Sequence, residues 1–205
     1  MLYLILALSF LFRNFLIKIK SQLTVIKLSD SDFTFKIVIF GDAQTGKTTL
    51  THRFLTNMFK DDFQMTIGVD FLLKPVKVYG ENVKLQIWDF AGEERFRYLL
   101  PSYIKGANGG IFMYDITKYS SLAHADEWFD IVENQIDYDL PIIFVGGKID
   151  LIHLKEVSTR KAKKIAKSKK ANAYIECSSK TGENVQTIFE LLAKFIFEIK
   201  ILNKS

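Results

Sequence analysis

A chain of 205 residues that is 48% apolar and 25% charged has a globular composition and enough length for one domain with a full core. Its formal charge of +5 is too small to demand an anionic partner, and no nucleic-acid partner is expected. One cysteine, Cys177, excludes an internal disulfide, while the scattered His52, His124 and His153 make no Cys–His metal cluster and are expected to carry no chemistry.

Residues 1–17 are apolar apart from Ser9, Arg13 and Asn14. As a helix they would span about 26 Å, short of the ~30 Å of a bilayer's hydrocarbon core. Three readings stay open: a membrane anchor or interfacial helix, a helix packed on protein, and a secretory signal or mis-assigned start. Arg13, Lys18 and Lys20 follow the apolar run, which fits a cytoplasmic side. Residues 18–32 read as a linker, with an extra edge strand as the alternative. The chain therefore divides into an N-terminal segment, 1–32, and a domain, 33–202.

Within that domain strand-like and helix-like stretches alternate. Phe35–Phe40 reads as a buried strand and 49–55 as a helix with Leu50, Phe54 and Leu55 on one face. Val69–Tyr79 and Val83–Trp88 flank Gly80-Glu81-Asn82 as a hairpin, and Pro75 puts its first arm at a sheet edge. Gly110–Tyr114 and Pro141–Val145 are continuous apolar runs suited to strands buried on both faces. Ser120–Gln135 has helical spacing through Leu122, Ala125, Trp128, Phe129 and Val132, with Ser120 or Ser121 as its cap. Val157–Lys170 is a basic helix with Ser158 near its start, Ala173–Cys177 a last strand, and Glu183–Ile201 a closing helix. This alternation predicts an α/β fold: a mostly parallel six-stranded sheet with helices on both faces.

The motif with the most chemistry is Gly41-Asp42-Ala43-Gln44-Thr45-Gly46-Lys47-Thr48, which fits G-x-x-x-x-G-K-[ST] between a strand and a helix. Its glycines let the backbone bend around a polyphosphate, and its amides and the helix N-terminus supply positive charge. Lys47 can reach the outer phosphates and Thr48 can ligate Mg²⁺. Further on, Asp89 ends an apolar strand where it can support that metal through water, and Gly92 can offer its amide to a γ-phosphate.

Together these stretches resemble a small GTPase of the Ras superfamily, and within it the Rab group, from about Phe33 to Leu202. Thr66-Ile67-Gly68-Val69-Asp70-Phe71 is similar to the Rab switch I signature, and Trp88 to Phe96 resembles switch II. Tyr103-Ile104-Lys105-Gly106-Ala107 and Tyr114-Asp115-Ile116-Thr117 resemble two further Rab stretches. Lys148-Ile149-Asp150 and Ser178-Ser179-Lys180 fall where the guanine-recognition motifs belong. The resemblance implies a Ras-like G domain of the P-loop NTPase class that binds GTP and hydrolyses it to GDP with Mg²⁺. In that scheme Gly41, Ala43, Gln44, Thr45, Gly46, Lys47, Thr48 and Thr49 hold the nucleotide's phosphates. Thr48 and Thr66 ligate the metal, supported by Asp89. Lys47, Thr66, Gly92 and Glu93 form the catalytic end. Phe59 packs on the guanine, Asp150 accepts its N–H groups, the Lys148 stem covers it and the Ser179 amide meets its carbonyl, with Ser178 and Lys180 beside it. Ile67, Phe71, Trp88 and Tyr103 form the surface for effectors and regulators.

Three positions depart from the family pattern. Glu93 stands where members usually have Gln, so a charge lies near the attacked phosphate. Gly147 stands where the guanine motif normally begins with Asn, a loss worth about 1 kcal/mol for one hydrogen bond. Ala43 and Gln44 carry side chains at loop positions that are often small or Gly. These departures motivate a second reading, a GTP-binding scaffold with little intrinsic hydrolysis. A third, an ATP-using P-loop enzyme, lacks a second substrate site, and Asp150 argues for guanine. With no cysteine after Cys177, no prenylation is expected. The expected location is the cytoplasm, with membrane association at the cytosolic face through residues 1–17. The basic run Arg160–Lys170 is expected to be a solvated helix face rather than a lipid contact.

Overall fold

The computed structural model describes residues 33–60 and 66–202. The expectations for 1–17 and for the 18–32 linker, and part of the switch I region, lie outside the described residues. The first apolar run forms β1 (Phe33–Phe40), and the glycine-rich motif leads from it into α1 (Lys47–Thr56). There follow β2 (Val69–Val78), β3 (Glu81–Phe90), α2 (Leu100–Ile104), β4 (Gly109–Asp115), α3 (Tyr119–Ala123) and α4 (Ala125–Glu133). The chain continues with β5 (Ile142–Gly147), α5 (Thr159–Ser168), β6 (Ala173–Glu176) and α6 (Val185–Leu202). Six-residue 3-10 segments lie at Glu94–Leu99 and Ile149–Leu154, where no helix was expected.

The sheet runs β2-β3-β1-β4-β5-β6. Its β2–β3 pair is antiparallel and every other pair is parallel. Pro75 lies on β2, the edge strand, where its missing N–H costs no ladder bond. The chain moves from β1 to one side through β2 and β3, then crosses back to add β4 on the other. That reversal opens a crevice at the carboxyl end of β1, where ligands of such sheets sit. The phosphate-loop motif occupies it.

Alternate strand residues separate two cores. Ile37, Ile39, Ile111, Met113, Ile143 and Val145 face α1 and α6, where Phe54 stacks on Phe189 with centroids 3.9 Å apart. Val38, Phe40, Phe112, Tyr114 and Phe144 face α4 and α5, around the fully buried Trp128. Burial on both faces accounts for the near-continuous apolar runs of β4 and β5.

Some local expectations need correction. The hairpin turn is Tyr79-Gly80 rather than 80–82, since Val78 pairs with Glu81. Both turn residues have positive φ, 51° and 91°, the conformation that matches strand twist in a two-residue loop. The helix expected over 120–135 is two helices broken at His124, and neither serine caps it. Ser121 lies inside α3, accepts from the Asp115 amide at 3.0 Å and donates to the Lys118 carbonyl at 2.7 Å. By contrast Ser158 caps α5 as expected, accepting from the Lys161 amide at 3.3 Å. The closing helix starts at Val185, because Asn184 takes a left-handed φ of 60° and uses its side-chain amide on the Glu176 carbonyl.

Candidate functional site

The phosphate loop is shaped by close backbone contacts. Gly41 has φ 133°, and a Cβ there would lie 2.2 Å from the Met113 carbonyl oxygen, so only glycine fits. Helix α1 starts without a capping side chain, which leaves its first amides directed at the crevice. Lys47 is 5% exposed and donates to the Gly41 and Asp42 carbonyls at 2.9 and 2.7 Å. Burial pulls its pKa down to about 8 against the opposing pull of Asp89 and Asp42. A cation this desolvated favours an arriving polyanion.

Beside it three oxygen-bearing side chains converge from α1, the start of switch I and β3. Thr48 Oγ1 donates to Asp89 Oδ2 at 2.6 Å and lies 2.8 Å from Thr66 Oγ1. Asp89 is fully buried, and desolvation lifts its pKa to about 6, opposed by Lys47 and by the Thr48 and Thr66 hydroxyls. Its Oδ1 is buried without a hydrogen-bond partner among the described residues. Hard oxygen donors and an orphaned carboxylate oxygen fit Mg²⁺.

Gly92 presses on the glycine-rich loop: a Cβ there would lie 2.2 Å from the Asp42 carbonyl carbon and 2.3 Å from the Ala43 nitrogen. The Ala91 amide donates to the Gly68 carbonyl at 2.9 Å, tying the two switch segments together. Glu93 turns to Arg95, whose Nε lies 2.6 Å from Glu93 Oε2.

The residues expected to meet the base lie on the loops after β5 and β6. Asp150 Oδ1 accepts from the buried Ser178 hydroxyl at 2.6 Å, and the Thr181 amide fixes that hydroxyl at 3.1 Å. The Ile149 amide donates to the Cys177 carbonyl at 3.1 Å and joins the two loops. Cys177 itself is buried, and desolvation pushes its thiol up to about 12. Lys148 spans to the phosphate loop: its ammonium donates to the Gln44 carbonyl at 2.8 Å and lies 2.7 Å from Asp115 Oδ2. Gln44 sits at φ 62°, a strained conformation for a side-chain-bearing residue, and its Oε1 accepts from Lys118 at 3.2 Å. Ser179 is half-buried and Lys180 exposed beside this loop. Half-buried Phe59 lies after α1, next to 61–65, which are outside the described residues. Thr45 is buried and Thr49 half-buried in the loop–helix junction.

Of the surface group, Phe71, Trp88 and Tyr103 are contiguous, with centroid separations of 4.9 and 5.4 Å, and Ile67 is 63% exposed. Sequence reasoning missed a cluster behind the phosphate loop. Asp42 Oδ1 accepts from Trp128 Nε1 at 2.8 Å, and Asp42 Oδ2 lies 2.6 Å from His124 Nδ1. Arg97, 3.4 Å from Asp42, also pairs with Glu127 and stacks over Trp128. His124, expected to carry no chemistry, is here a structural tie.

Comparison with known proteins agrees with this geometry. A sequence profile of the Ras family matches residues 36–198. The "Ras-related protein Rab-1" of Theileria parva is 40% identical over 168 residues, 82% of this chain and 76% of its own length. The "Ras-related protein Rab-30" of Homo sapiens is 41% identical over 174 residues, 84% of this chain and 85% of its own.

Proposed function

The chain belongs to the Ras family and is a small GTPase, a switch that binds GTP and hydrolyses it, and from there we propose how its own residues divide the work in a Rab-like trafficking role. Lys47 and the amides of 41–48 bind the β- and γ-phosphates. Proteins of this family generally use Mg²⁺ with GTP; here Thr48 and Thr66 would hold the ion and Asp89 would support it, and when bound it supplies charge neutralisation at the phosphates. The observation that carries the reading is the convergence of Thr48, Thr66 and Asp89 beside the buried Lys47.

Gly92 offers its amide at the γ-phosphate, and because its backbone rests on Asp42 and Ala43, switch II feels that phosphate directly. Glu93 accepts a hydrogen bond from the attacking water once it leaves Arg95. Asp150 pairs with the guanine N–H groups, held in place by Ser178; Lys148 and Phe59 flank the base. Effectors and regulators meet Ile67, Phe71, Trp88 and Tyr103, beside the segments around Thr66 and Gly92 that order with GTP and relax after hydrolysis. Residues 33–202 form the nucleotide domain, and 1–17 supply a membrane attachment. Among the described residues, no helix is long and apolar enough to cross a membrane. Fractionating cells that express the full chain or residues 33–205 tests that attachment; two equally soluble chains would end it.

Family membership favours the hydrolysing switch over the scaffold reading. The deciding experiment identifies the nucleotide released from purified protein and follows added GTP through one turnover. Guanine nucleotide with GDP accumulating is expected. Persistent GTP would favour the scaffold, and ATP competing equally with GTP would remove the guanine assignment.

A further inference from the structure

Gly147, the position where the guanine motif departs from its family, ends β5 directly behind the phosphate loop. A Cβ there would lie 2.4 Å from Met113 Cε and 3.1 Å from the Thr45 carbonyl oxygen. The same Met113 methyl would lie 3.4 Å from a Cβ at Gly46, and the Met113 carbonyl stands 2.2 Å from the place a Gly41 Cβ would take. One residue of β4, 1% exposed, therefore underlies both glycines of the phosphate loop and also occupies the space above Gly147. Packed interiors hold no spare room for two groups at such separations.

We propose that Met113 is a positioning residue for the phosphate loop, its thioether methyl filling from β4 the space that a side chain at position 147 would take from β5. An unbranched, polarisable side chain suits that irregular gap. The support it gives is by shape: the methyl holds the loop from below without a hydrogen bond to the Thr45 carbonyl. Positions 113 and 147 then form one unit, and a side chain can be added at 147 only if Met113 gives way. The inference rests on the reading that loop 41–48 holds the nucleotide.

The test is the GDP release rate of the full chain in a double-mutant cycle of Met113→Val and Gly147→Asn, with melting temperatures recorded alongside. Each single substitution is expected to speed release roughly threefold to tenfold, the size of losing about a methylene's worth of buried contact. The double variant is expected to release GDP more slowly than either single one. Met113→Leu, which roughly keeps the volume of the side chain, should hold release within about twofold of the wild type. A general core role would lower melting temperature without this reciprocal rescue of release. Multiplicative effects in the double variant, or release unchanged by Gly147→Asn alone, would overturn the proposal. A wild-type chain that holds no guanine nucleotide would instead overturn the parent reading. Should a single variant fail to fold, the double and Met113→Leu proteins still decide, since the proposal requires both to retain GDP.

Discussion

The proposed phosphate end and the proposed base end of the crevice are built by different means. At the phosphate end, backbone amides surround a buried cation and a buried carboxylate, whose pKa values desolvation displaces to about 8 and about 6. At the base end the charged groups already have partners, Asp150 with Ser178 and Lys148 with Asp115. At the first, Asp89 Oδ1 is buried without a hydrogen-bond partner among the described residues; at the second, Asp150 Oδ1 and the Lys148 ammonium are already engaged. The first arrangement supplies affinity, because binding relieves an electrostatic cost. The second supplies identity, because a fixed acceptor rejects a base that lacks matching donors.

The largest effect should come from removing the poised cation. Lys47→Ala is expected to weaken GTP binding by roughly a hundredfold or more, since it leaves the phosphates and Asp89 without a buried countercharge. Titration with fluorescent GTP checks this, and near-normal affinity would contradict the contrast. Next, Asp150→Ala should cut the preference for GTP over ATP by about a hundredfold while ATP affinity holds; competition between the two nucleotides measures it. An equal loss for both would show that the base end also sets phosphate affinity.

A smaller effect is expected at Glu93. Glu93→Gln removes a charge near the γ-phosphate, worth about 1 kcal/mol in a solvated setting, so single-turnover hydrolysis should rise by roughly fivefold. A slower variant would mean that the carboxylate itself aligns the water. The smallest effect is a fraction of a proton. With pKa about 8 in the free protein against an ordinary 10.5, Lys47 is largely neutral above pH 8, and the phosphates restore its charge. GDP binding between pH 8 and 10.5 should therefore take up protons, seen by calorimetry in buffers of different ionisation enthalpy. Asp150→Ala should keep that uptake, confining it to the phosphate end.

How much of this was legible depended on distance along the chain. The phosphate loop could be read because eight consecutive residues carry its chemistry, and β4 and β5 because burial on both faces leaves unbroken apolar runs. The order of weak motifs located Thr66, Asp89 and Asp150, although only folding brings Asp89 to Thr48, 41 positions away. The Asp42 cluster had no such signal: Trp128 is 86 positions distant, and a helical tryptophan at core spacing looks like packing alone. The helix break at His124 was equally hidden, since the Asp42 side chain that meets His124 there lies 82 positions away. At Gly147 the departure was visible in the sequence, but the methyl that fills it comes from another strand.

Cys177 has a practical consequence. A single thiol, buried in the core beneath α1 and α6 and held protonated far above neutral pH, will not react with thiol reagents while the chain is folded. The protein thus comes with a silent chemical background. A cysteine placed at Tyr98, which is 68% exposed two residues after the stretch that resembles switch II, would be the one site to take a fluorescent label, so motion there can be watched without altering the rest of the molecule.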